Sequence, residues 1–154
     1  MCDPTPIRNW LIAAFVTLIV AVAAIGAAIG FNLSLYYTYV APGWMLVAAI
    51  LVGVSILLIG QAASALDVFC KCAGESCAGV CNNMRNTLNA SRVVLGILAA
   101  TCVAGAIPAL IPIVGQFALW PIAGSLLVQI ALIITAIVFY NQLTTCAVRP
   151  PAPR

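Results

Sequence analysis

Between residues 93 and 140 the chain carries no charged side chain, and two further apolar runs, 10–31 and 44–66, precede it. These runs are the strongest constraint in the sequence, because a soluble domain of this length has no interior able to take them all out of water. The 93–140 run is about twice what one bilayer crossing needs, so the chain must reverse inside it. Pro108, Pro112, Gly115 and Gln116 mark that reversal. Phe117 and Trp120 suit the interface beyond it, and Pro121 falls in the first turn of the last helix, where a missing N–H costs little. A composition of 65% hydrophobic and 6% charged residues, with mean hydropathy +1.20, agrees with a polytopic membrane protein. The fold expected is all-α: a single four-transmembrane-helix bundle over residues 1–154, with spans at about 10–31, 44–66, 93–113 and 117–140. A cysteine-rich connector, 67–91, joins helices 2 and 3, and 143–154 reads as a flexible tail.

The first span fills a bilayer and is too long for the apolar core of a cleavable signal peptide. Its second half places Gly26 and Gly30 four residues apart among alanines, the small-xxx-small spacing that lets two membrane helices approach closely. Tyr36, Tyr37 and Tyr39, followed by Pro42, Gly43 and Trp44, read as an interfacial aromatic belt around a turn. Asn32-Leu33-Ser34 is formally a glycosylation sequon set against the helix end. Asp67 and Lys71 are spaced to pair along the end of helix 2, with Gly74 ending it.

Charge removes some functions and suggests an orientation. A net charge of +3 on scattered basic residues gives no footprint for a nucleic acid. The absence of histidine removes Ser-His and Cys-His catalysis and haem ligation through His. Arg8, Lys71, Arg85, Arg92, Arg149 and Arg154 all fall on one side of the alternating topology. By the positive-inside rule both termini and the cysteine loop are expected in the cytoplasm.

Cys70, Cys72, Cys77 and Cys81 are the one chemically distinctive cluster. On a cytoplasmic face thiols stay reduced, and four thiolates suit zinc in a closed tetrahedral site or an iron-sulfur cluster. That site needs the helix to have ended, with Gly74 and Gly79 supplying the turns, since residues two apart on a helix point to opposite sides. The Cys-x2-Cys knuckle of structural zinc is absent. With the orientation inverted, the same four thiols make two disulfides; lipid acylation or inert packing is the third reading, and acylation extends to Cys2 and Cys146. Cys102 lies within a span and reads as packing.

Three functions compete. The first is a non-enzymatic membrane subunit in contact with the lipid bilayer, acting by helix packing against itself or other membrane subunits. No charge lies deep in any span, whereas transporters and proton relays usually place one there. The second is a thiol-based metal or redox protein built on the cysteine loop. The third is a small channel or carrier, resting on Ser55, Gln61, Thr101, Ser125 and Gln129. Gln129 stands out among these because an unpaired amide in a span costs several kcal/mol of desolvation, on the order of 2–7. An enzyme is the least supported reading, since no acid-base pair, activated nucleophile or phosphate loop is present.

Overall fold

The computed structural model describes residues 2–33, 40–106 and 119–148. It is all-helical: α1 (Thr5–Leu33), α2 (Val40–Ala73), α3 (Ala78–Gly105) and α4 (Leu119–Val148), with a 3-10 turn at Glu75–Cys77 between α2 and α3. All four helices are long and apolar enough to cross a membrane. The reversal at Pro108–Gln116, the Tyr36, Tyr37 and Tyr39 belt, Ser34 of the sequon, Arg149 and Arg154 lie outside the described residues.

A seven-residue repeat organises the packing. In α1 Ile7, Ala14, Ala21 and Ala28 are buried, interleaved with Leu18 and Ile25 and joined by Ala24 beside the stripe; in α2 the buried positions are Ala48, Ser55, Ala62 and Phe69, interleaved with Val52, Ile59 and Leu66. The 3-4 alternation keeps one stripe facing the neighbour along the whole helix and imposes left-handed packing. On both helices small side chains alternate with branched ones, which lets the backbones approach and the large residues fill the intervening holes. The repeat continues through Cys81, Met84, Leu88, Ser91, Leu95, Leu98 and Cys102 on α3, and through Ile122, Gln129, Ala136 and Leu143 on α4. Large apolar residues off the stripe, such as Ile50, Leu57 and Leu127, are more than 60% exposed, so each helix is hydrophobic on its outside as well.

Helices adjacent in sequence are adjacent in space: α1 packs along α2, α2 along α3, and α3 along α4. α1 and α4 form no such packed seam among the described residues, so the bundle is open between its first and last helices.

The expected connector at 67–91 is not a loop. α2 runs on to Ala73 and α3 starts at Ala78, leaving only Gly74 and the 3-10 turn between them. Asparagines in this region punctuate the sequence but not the helix, because Cys81, Met84, Leu88 and Ser91 keep the buried stripe in phase while Asn82, Asn83, Asn86 and Asn89 stay exposed. Gly74 makes the break itself, at φ 73° and ψ −166°, a region open essentially to glycine alone. Gly79 supplies no turn and sits inside α3. The expected flexible tail is also helical as far as Val148, anchored by the fully buried Leu143. Asp67 pairs across to Arg85 on α3 through Nη2 and Nε, the latter at 3.0 Å. Both side chains are about half exposed, so this ion pair contributes at most about 1 kcal/mol.

Candidate functional site: the stapled end and the interhelical cleft

Six of the seven cysteines meet at one end of the bundle as disulfides: Cys2–Cys72, Cys70–Cys81 and Cys77–Cys146. Their Cα–Cα separations, 5.8, 6.1 and 6.0 Å, lie within the range a disulfide spans. This corrects the expected metal centre at Cys70, Cys72, Cys77 and Cys81, because a sulfur in a disulfide has no thiolate lone pair to give zinc or iron. No group of side chains suited to a metal ion occurs among the described residues. The inverted reading, two disulfides within the cluster, is also incomplete. Only Cys70–Cys81 is internal, while Cys72 and Cys77 reach out to Cys2 and Cys146. Acylation of Cys2 or Cys146 is excluded on the same ground. Spacing along the chain could not show this, because the two outer partners lie 70 and 69 residues away. Cys102 is the free thiol, fully buried in the α3 stripe as expected of a packing residue.

The staples connect the N-terminal end of α1 to the C-terminal end of α2, α2 to the start of α3, and the turn before α3 to the end of α4. They follow the same order as the helix packing, and none ties α1 to α4. Near this end Asp3 Oδ1 accepts from the Thr5 N–H at 2.9 Å, capping α1. Hydrogen bonds from Thr5 hold the Asp3 carboxyl below its usual range.

The gap between α1 and α4 opens into a cleft of about 250 Å³. Its rim carries Arg8 and Tyr140, and its walls are apolar, with Phe15 and Leu18 from α1, Leu95 from α3 and Ile133 from α4. Four polar residues of the spans, Ser55, Thr87, Ser91 and Gln129, line it, with the Thr87 hydroxyl donating to the Asn83 carbonyl of its own helix. Gln129 Nε2 donates to Ser91 Oγ at 2.6 Å, joining α4 to α3, and Ser55 lies on the α2 side with its hydroxyl donating to the Leu51 carbonyl. Gln129 is 1% exposed, yet its Oε1 has no hydrogen-bond partner within the protein. Ser91 lies 13 residues into α3, which at 1.5 Å per residue puts the pair about 20 Å from the stapled end.

The other expected intramembrane polar residues separate from this pair. Ser125 is buried and Thr101 is at the edge of the stripe, but both satisfy their own helix by donating to carbonyls one turn back; Gln61 is exposed on the outside of α2. Among the described residues Gly26 and Gly30 make no close interhelical contact: both are exposed, and no described atom lies within 4 Å of where a Cβ would stand. Alanines at 14, 21 and 28 take that role instead. Comparisons with known proteins found no family, no curated relative and no solved structure that matches the chain.

Proposed function

We propose that this chain is a non-enzymatic integral membrane subunit that works by lateral association, through the face of α1 bearing Gly26 and Gly30. The observation that carries this reading is that both glycines are exposed and unopposed among the described residues, on a helix whose own bundle contacts are made by a different stripe. Ala23, also exposed, and the half-buried Ala27 extend the small-residue surface. A second membrane helix could reach backbone-contact distance there, where van der Waals packing drives association in the absence of a hydrophobic effect. The partner is a second copy of this chain or another membrane subunit.

The same reading turns the stapled end toward an oxidising compartment, reversing the orientation expected from charge. Both considerations agree that the two ends of the chain and the α2–α3 turn share one side. They differ on which side. Charge bias is statistical and depends on the insertion route, whereas a reducing cytoplasm would open disulfides whatever the neighbouring charge.

Association is tested by Gly26→Leu with Gly30→Leu, read by native mass spectrometry or single-molecule photobleaching of protein held in nanodiscs. The wild type is expected as an oligomer or a complex and the double variant as a single chain with its three disulfides intact. A wild type that is monomeric under every lipid and detergent condition would remove this reading.

A further inference from the structure

We propose that the cleft between α1 and α4 is a binding site for a hydrophobic alcohol drawn from the bilayer, whose hydroxyl donates to Gln129 Oε1. This is independent of lateral association and rests on different atoms. A buried carbonyl oxygen without a partner is costly, and it can only accept, so whatever completes the site must bring a donor. The surrounding walls are apolar, which calls for a molecule that is otherwise hydrocarbon. Among the described residues no carboxylate lines the cleft, and the one charged residue lining it, Arg8, stands in the first turn of α1. A cationic donor would therefore be desolvated with no counter-charge, leaving a neutral hydroxyl as the fitting group.

Size and access agree with that chemistry. A dry cavity of about 150 Å³ admits benzene, so 250 Å³ accommodates two fused rings or a short branched isoprenoid segment. The remainder of a longer molecule can lie along the unpacked seam between α1 and α4. Ser91 holds the amide in place through its Nε2, fixing the direction in which Oε1 points. Gln129 is thus the reading group and Ser91 the positioning residue.

The test uses the full chain in nanodiscs and a matched pair of probes, 2-naphthol and its methyl ether, by equilibrium dialysis against protein-free nanodiscs. One net hydrogen bond corresponds to a preference of about fivefold to tenfold for the naphthol over the ether. Gln129→Leu should reduce that ratio to about one while leaving the ether's affinity unchanged. Ala136→Phe, which fills the cleft without altering the amide, should abolish binding of both probes. Peptide mapping of the three disulfides confirms that each variant is folded. Equal binding of the two probes by the wild type, a ratio that survives Gln129→Leu, or binding that survives Ala136→Phe would each overturn the proposal. Further arms with an isoprenoid alcohol, a sterol and a quinol, each against its methyl ether, then identify which source of hydroxyl the cleft prefers.

Discussion

Replacing Gln129 with leucine should stabilise the bundle in the absence of added ligand, although it deletes an interhelical hydrogen bond. The bond lost is Nε2 to Ser91 Oγ, and such bonds between membrane helices average about 0.6 kcal/mol, with about 1.7 as the upper end. Against this, the substitution removes Oε1, a fully buried acceptor with no partner, whose desolvation costs about 1–3 kcal/mol. Ser91 need not be left unpaired, since its hydroxyl can donate to the carbonyl one turn back, as Ser55, Thr87 and Thr101 do. Leucine is close in volume to glutamine and suits the apolar wall. The balance is a gain of roughly 1 kcal/mol. Ser91→Ala cuts the same hydrogen bond from the other side and should do the reverse, because it strands the amide donor as well as the acceptor and costs about 1–3 kcal/mol. Opposite signs for the two partners of one bond are the signature. Reversible unfolding of purified protein in mixed micelles, titrated with a denaturing detergent, measures both. If Gln129→Leu is destabilising by more than about 1 kcal/mol, the amide is satisfied in the native protein and the unpaired-acceptor reasoning fails.

The staples and the turn that aligns them give two more expectations. The chain-entropy relation assigns about 4.4 kcal/mol to each of Cys2–Cys72 and Cys77–Cys146, but only about 2.8 to Cys70–Cys81, because their sequence separations are 70, 69 and 11. These are upper figures in a bilayer, where unfolded helices stay inserted, but the order should hold: paired Cys→Ser replacement of either long staple should lower the thermal midpoint more than loss of the short one. In intact cells an impermeant reductant followed by an impermeant maleimide should label this end from outside. Gly74→Ala forces a Cβ into a backbone region that L-residues avoid, at about 1–3 kcal/mol; peptide mapping should show mispaired disulfides, since Cys70, Cys72 and Cys77 all hang on that turn.

How much of this was legible follows from the solvent each helix is built for. Length and apolarity located four helices, because bilayer thickness is a constraint on sequence that needs no partner. Hydropathy could not find the buried stripe, since Leu57 faces outward and Leu66 inward with the same side chain. The usable signal was the seven-residue recurrence of small and polar residues, Ala14, Ala21 and Ala28 or Ala48, Ser55 and Ala62, which hydrophobic scales treat as weak positions. The cysteine cluster misled because four thiols close in sequence suggested one another as partners, whereas antiparallel packing brings Cys2 and Cys146 to the same end. Gln129 was legible as an expensive residue, but its relation to Ser91 depends on the α3–α4 register, and that pairing lies 38 residues apart.

The cleft and the glycine stripe occupy one continuous surface. Ile12, Phe15, Ile19, Val22 and Gly26 follow one another at 3-4 spacing down α1, so they share a face, and Gly30 extends it by one more turn. Phe15 and Ile12 line the cleft, while Ile19 and Val22 are 52% and 41% exposed. This is the side of α1 that faces the open seam, and no staple crosses that seam to α4. Gly26 lies eight residues beyond Leu18, about 12 Å farther from the stapled end than the cleft wall. A helix docked on the glycines would therefore close the far half of the seam without touching Gln129. Association and alcohol binding can accordingly fail separately: Gly26→Leu with Gly30→Leu should leave the hydroxyl preference intact, and Gln129→Leu should leave the oligomeric state unchanged.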